Sequence, residues 1–203
     1  MTKYQKEVDI VLDRTDIDKQ IKRLKNIKNG VEKALTRGMN TALPKMKKAA
    51  SDSIKQNYSI TKITSATKTI KQKKATYQRL SAEINSQGRP IPLTSFKYKR
   101  NPYPGVKGTP TAKAMVVKNG ALKETGGFMA NVRWRSKTGD SGSHTGIFKR
   151  VGKERYPIKQ LYAPSTTEFM NNPDSSTNIQ KAGQESFEKE FDRQVDYLLK
   201  GGK

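Results

Sequence analysis

Apolar residues along this chain change their spacing three times, and the changes mark out four stretches. Val8, Ile10 and Leu12 fall on every second position, which predicts a short first strand. Ile17, Ile21, Leu24, Val31, Leu35, Leu43, Met46 and Ile54 then follow at spacings that are mostly three, four or seven. That is one apolar stripe on a helix. Thr15 and Asp18 before it have the shape of a capping box, with Asp in place of the usual Glu. A helix over about 16–56 would run roughly 60 Å at 1.5 Å per residue. Pro44 removes an amide donor and crowds the preceding turn, so a kink or a split is expected near residue 43, with Gly30 and Gly38 softening the helix further. Ser65 then caps a short helix over about 66–75, with Ile63 and Ile70 facing inward.

From residue 76 the period shortens to two. Tyr77, Leu80, Ala82 and Ile84 predict one strand, turning at Ser86-Gln87-Gly88. Arg89-Pro90-Ile91-Pro92-Leu93 is extended, because each proline biases its predecessor away from helix. The prolines and glycines of 99–110 make a loop. Ala112–Val117 is a strand, Lys118-Asn119-Gly120 is a hairpin signal and Ala121–Glu124 returns. Strands over Phe128–Trp134, Gly146–Arg150 and Tyr156–Tyr162 complete the series, with a flexible turn at Lys137–His144. A loop or linker over Asn171–Thr177 leads into a helix over 178–200, where Ile179, Phe187, Phe191, Val195 and Leu198 form a stripe opposed by Glu185, Glu188, Glu190 and Asp192. Glycines 201 and 202 end it. The expected fold is α+β: a long N-terminal helical region, a central antiparallel sheet and a C-terminal helix. The expected division is 1–75 for the first strand and basic helical region, 76–165 for the sheet, and 166–203 for linker and last helix, in one structural unit overall.

Composition narrows what such a fold does. Only 33% of the 203 residues are apolar, a thin core for this length. Extended arms, or a surface completed by neighbouring subunits, are expected. The absence of cysteine excludes disulfides, a thiolate nucleophile and thiolate metal sites. One histidine, His144, cannot build a multi-histidine metal site. No stretch approaches the ~18 apolar residues of a membrane span, and the N-terminus lacks the apolar core of a signal peptide. A soluble protein made in a cytoplasm is expected.

Charge changes the picture most. The net charge is +23. Residues 13–79 contribute +13 and 80–160 contribute +12, while 161–203 carry −2. A field of this sign favours a polyanion as partner or neighbour. Lys19, Lys22, Arg23, Lys25, Lys28, Lys33, Arg37, Lys45, Lys47 and Lys48 lie off the apolar stripe, either as a solvated face or as a basic rail toward DNA or an acidic partner. Arg89, Arg100, Arg133, Arg135, Arg150 and Arg155 sit in or beside the expected sheet, interleaved with Tyr98, Tyr103, Trp134 and Tyr156. Arginine forks grip phosphates and aromatics stack bases. The other reading of the same residues makes the aromatics core or intersubunit packing and the arginines rim contacts. No base-reading motif is visible, so DNA contact would be with the backbone and blind to sequence.

Catalysis has little to stand on. Asp140, Ser141, Ser143 and His144 share one Gly-rich hairpin without the elbow that exposes a nucleophile. Glu83, Glu124, Asp140 and Glu154 make no paired carboxylate motif for two metals. Neither Gly105–Gly108 nor Asn119-Gly120 makes a phosphate-binding loop. No catalytic, metal or cofactor residue is assigned.

Three stretches in order carry a family pattern: Ile91-Pro92-Leu93-Thr94-Ser95-Phe96-Lys97, then Gly146-Ile147-Phe148-Lys149-Arg150, then Arg155-Tyr156-Pro157-Ile158-Lys159-Gln160-Leu161-Tyr162-Ala163-Pro164-Ser165. In that order and spacing, with a basic helix before and a helix after, the chain resembles the prophage minor tail protein Z family. The resemblance implies a non-enzymatic virion protein at the head-proximal end of a phage tail. Such a protein completes the tail tube and helps head and tail join, with DNA passing nearby. It implies a homo-oligomeric ring, a hexamer on a six-fold tube, next to tail-tube or tail-terminator and head-completion proteins and away from membranes. Phe96, Phe148, Pro157, Ile158, Leu161 and Tyr162 are then candidates for subunit or tube contacts, and the six arginines for nucleic-acid or rim contacts. The alternative is a DNA-binding or packaging accessory protein without sequence specificity.

Overall fold

The computed structural model describes residues 6–8, 14–100, 111–135, 139 and 141–202, without the side chains of 6–8, 14–17, 65 and 134. In chain order the first elements are β1 (Lys6–Val8), α1 (Arg14–Leu24), α2 (Gly30–Asn57), α3 (Ile63–Thr67), β2 (Ile70–Lys73), β3 (Glu83–Ser86), β4 (Ile91–Pro92) and β5 (Lys97–Arg100). Then come β6 (Ala112–Met115), β7 (Lys123–Arg135), β8 (Ser141–Arg150), β9 (Ile158–Gln160), β10 (Tyr162–Ala163), α4 (Thr166–Met170) and α5 (Pro173–Leu199). Helices lead, an antiparallel sheet follows and a helix closes, which is the α+β order expected. Strand positions Ile10 and Leu12, the loop over 101–110 with Tyr103, turn residues Lys137 and Asp140, the Trp134 ring, the Ile17 side chain and the caps at Thr15 and Ser65 lie outside the described residues.

The chain divides into two compact units. Unit 1 is Met1–Ser53, Thr67–Gly88 and Thr166–Lys203. Its core is the α5 stripe: Ile179, Phe187, Phe191, Val195 and Leu198 are all buried. The last four pack on Leu24, Ala34 and Ala42 of α1 and α2. The rings of Phe187 and Phe191 stack 5.4 Å apart. Burying each such side chain stabilises by about 1.5–3 kcal/mol. Two glycines set how closely the helices approach. A Cβ on Gly38 would lie 3.2 Å from the Phe187 ring, and one on Gly183 would lie 2.8 Å from Met46 Cγ. Further along, Leu43, Met46 and Ala50 meet Ile70, Ala75, Ala82 and Ile84. Ile70 and Ile84 come from a three-stranded antiparallel sheet in the order β1-β3-β2. Asn40 fastens the chain after β2: Asn40 Nδ2 donates to the Ala75 carbonyl at 3.1 Å, and the Ala75 amide donates to Asn40 Oδ1 at 2.8 Å.

Unit 1 departs from the sequence reading in four places. The N-terminal helix breaks at 25–29, where Asn29 takes φ 56°, and runs unbroken through Pro44. Pro44 faces solvent while Ala42, Leu43 and Met46 around it are buried, so packing outweighs one lost amide bond. The helix expected over 66–75 is a short α3 followed by β2, because pairing Ile70 with Ser86 buries Ile70 in the sheet. The strand expected from Tyr77 is only β3; Tyr77 and Leu80 are exposed outside it. The last helix begins at Pro173, not 178. Asn172 is its N-cap, its side chain accepting from the Asp174 amide at 3.1 Å, so residues read as linker are a cap and first turns.

Unit 2 is Ile54–Ala66 and Arg89–Ser165. It is built on a five-stranded antiparallel meander in the order β5-β6-β7-β8-β9. Ile91, Leu93, Phe96, Ala112, Ala114, Ile147, Phe148 and Ala163 are its buried apolar side chains, with Ile54 and Ala66. β10 pairs with β4 beside the sheet. Tyr58 bridges to Val117 and Ile60 to Phe96, and Ser59 Oγ donates to the Met115 carbonyl. Asn119 takes φ 63°, as the Asn-Gly turn signal predicts. The two strands expected over 121–124 and 128–134 are one strand, β7. Its glycines make a bulge rather than a break: Gly126 has φ +63° and the β6–β7 register shifts opposite it. A Cβ on Gly127 would sit 2.7 Å from the Phe148 carbonyl. β8 starts at Ser141, five residues before the expected Gly146, because its pairing with β7 continues to Arg135.

Candidate functional site

The β7–β8 register, Phe128 opposite Phe148 through Arg135 opposite Ser141, sets up the surface chemistry of unit 2. β6 pairs with β7 only through Gly127, so among the described residues no strand covers the outer edge of β7 beyond it. Arg100 ends β5 at the same end of the sheet, paired with Ala112, itself opposite Gly127. On the other flank Arg150 pairs with Ile158, and the chain between them carries Arg155 and Tyr156 before a cis Tyr156–Pro157 peptide.

These segments enclose a cleft of about 470 Å³, lined by Arg100, Arg133, Arg150 and Arg155 together with the 128–133 stretch of β7, Tyr156 and Ile158. Four of the six arginines singled out in the sequence therefore meet. Arg89 and Arg135 are exposed and lie outside it. Two of the four lie over aromatic rings: Arg150 is 5.6 Å from the Phe128 centroid and Arg155 is 5.8 Å from that of Tyr156. A ring under a guanidinium holds it by cation–π attraction while leaving its edge N–H donors free. Among the described residues none of the four forms an ion pair. The described carboxylates of unit 2 are Glu124, paired with Lys113 at 3.3 Å, and Glu154, which is exposed and does not line the cleft. An open cleft lined by four arginines and no described carboxylate attracts anions.

The candidate contact residues separate by burial. Phe96 is fully buried and Phe148 nearly so; both pack the interior of their own unit. Pro157 and Tyr162 are exposed, and Ile158 and Leu161 half-buried. The Tyr162 hydroxyl donates to Gln160 Oε1 at 2.9 Å, and Gln160 Nε2 lies 2.7 Å from His144 Nε2. His144 thus belongs to a polar chain on the sheet surface. Among the described residues no cluster of His, Asp and Glu is arranged to hold a metal, and no helix is long and apolar enough to cross a membrane.

In unit 1 the basic helix face is partly answered by acids. Arg23 pairs with Asp196 at 3.3 Å and Gln20 donates to Asp192 at 3.1 Å, joining α1 to the acidic side of α5. Arg37 donates to Gln194 at 3.1 Å, and its guanidinium lies 5.9 Å from the Tyr197 ring centroid. Gln194 in turn donates to Glu190 at 2.7 Å, and Arg193 grips Glu190 through both carboxylate oxygens. The Arg193 hydrogen bonds hold the Glu190 carboxyl below its ordinary range, and Glu190 raises Arg193 in return.

The model of a family described as prophage minor tail protein Z matches residues 16–201 of the chain. No curated protein and no solved structure matches it.

Proposed function

We propose a place in the phage particle for this chain, which belongs to the prophage minor tail protein Z family over residues 16–201. Membership gives it a structural role in a phage tail, as a component of the virion. Within that role the chain completes the tail at its head-proximal end and helps the head to join, without enzymatic chemistry. It acts as a homo-oligomeric ring, a hexamer matched to a six-fold tube. The ring lies between the tail tube or its terminator and the head-completion proteins, and DNA passes it. Pro157 and Tyr162, with the half-buried Ile158 and Leu161 beside them, are the side chains with surface left to meet a neighbour.

The observation that supports the head-proximal position is where the charge lies. By sequence, unit 2 has 18 basic and 3 acidic residues, net +15, and unit 1 has 23 and 15, net +8. A passage that DNA must traverse is eased by a positive wall. The test is a joining assay. Tails made without this chain should fail to join purified heads, and added purified chain should restore joining. Tails from the deletion that join heads at the normal rate would remove the proposal. The arginine cleft also suits a second reading, a DNA-binding packaging accessory without sequence specificity. That reading requires the chain to be missing from the finished particle.

A further inference from the structure

We infer that the cleft between Arg100, Arg133, Arg150 and Arg155 is a binding site for a phosphodiester backbone, read without regard to base sequence. The cleft itself follows from geometry; the choice of nucleic acid as its occupant rests on the tail reading above. Three observations converge on it. Arg100, Arg133, Arg150 and Arg155 all line one open cleft, and among the described residues none is paired with a carboxylate. Two are held over Phe128 and Tyr156, which leaves their edges free for oxygen ligands. The outer edge of β7 past Gly127, part of the cleft wall, has no described strand beside it.

An acidic peptide segment would satisfy the same cleft, and the surroundings decide between the two. Unit 2 carries positive charge beyond the cleft as well. All four residues of β5, Lys97, Tyr98, Lys99 and Arg100, are exposed, and Lys149 and Lys159 stand exposed on β8 and β9, on the strand face opposite Arg150 and Ile158. A peptide filling about 470 Å³ would use the cleft and leave this outlying charge unanswered. A long, regularly charged backbone uses both. The sequence carries no base-reading motif, and Tyr156, 65% exposed, offers a face to any base.

The experiment uses the purified full chain, a labelled mixed-sequence duplex and a labelled single strand, titrated by fluorescence anisotropy across a salt series. Binding should be indifferent to sequence and weaken steeply with salt. R150A/R155A should lower the slope of log affinity against log salt by about two and weaken binding roughly ten- to a hundredfold near 0.1 M salt. K181A/K189A, which removes the same charge from exposed positions on α5 that do not line the cleft, should stay within about twofold. Equal behaviour of the two double variants overturns the inference. So does a labelled polyglutamate peptide of matched charge that binds more tightly than the oligonucleotide and is lost in R150A/R155A. Should the alanine pair fail to fold, modification of the wild-type chain by phenylglyoxal serves instead. Oligonucleotide should protect Arg100, Arg133, Arg150 and Arg155 over Arg89, and uniform protection contradicts the site. A negative result here leaves the joining assay untouched, and a negative joining assay leaves this binding result standing.

Discussion

Unit 1 and unit 2 solve the problem of a thin apolar supply in opposite ways. Unit 1 turns most of its large side chains inward, with Tyr77, Leu80, Tyr197 and Leu199 left exposed. Phe187, Phe191, Leu24 and Ile179 are buried, and part of its basic helix face is answered by Asp192, Asp196 and Glu190 on α5. Unit 2 keeps Tyr98, Val117, Val151, Tyr156 and Tyr162 exposed and leaves nearly all its positive charge without acids in its own sequence. Unit 1 answers more of its charge from within, and unit 2 presents the larger unanswered charge. That contrast teaches where a partner belongs. A folded unit that carries net +15 with few internal acids pays for the repulsion in isolation and is relieved by a polyanion or an acidic neighbour.

The comparison can be broken by substitutions, the largest first. Phe187→Ala removes a fully buried ring from the α2–α5 contact and should cost about 3–5 kcal/mol, seen as an earlier loss of helical circular dichroism in denaturant. A cost under about 1 kcal/mol would show that unit 1 lacks the tight core described. Gly127→Ala places a Cβ 2.7 Å from a backbone carbonyl, which no side-chain rotation relieves. It should cost about 1–3 kcal/mol, and hydrogen exchange should quicken first along β7 and β8. Asn172→Ala removes the cap of α5 and should cost about 1 kcal/mol, with exchange rising in its first turn. Glu190→Gln is the smallest effect, and pH exposes it. The native Glu190 carboxyl is held below its unfolded value by Arg193. Its stabilisation is therefore present above an unfolded value of about 4.3 and is lost as pH falls through the folded one. The variant should lack that acid-side loss, and identical acid limbs would show that Arg193 does not hold the carboxylate in solution.

Much of unit 1 was legible because its signal is periodic. Ile179, Phe187, Phe191, Val195 and Leu198 are buried as their spacing requires. What misled was punctuation. Pro44 reads as a break by its own chemistry, yet the buried residues around it hold the helix, while the true break at Asn29 carries only a mild Asn-Gly signal. Gly38 reads as softening, whereas its missing side chain makes room for Phe187. In unit 2 the Gly126-Gly127 pair looks like the end of a strand and is a bulge inside one. The six arginines were visible as a set, but which four meet depends on strand register. Arg135 lies past the cleft on β7, and Arg155 reaches it only because its loop returns to pair Ile158 with Arg150. Phe96 and Phe148, conspicuous in the motifs, are core side chains, and no local pattern separates a core aromatic from a contact aromatic in so short a strand.

The most direct test of the account is cryo-electron microscopy of intact particles with this chain located in the map. The account predicts a ring at the head-proximal end of the tail tube, with unit 2 and the Arg133–Arg150–Arg155 cleft turned toward the DNA path. Density for the chain at the distal tip, or none anywhere in the finished particle, would contradict it.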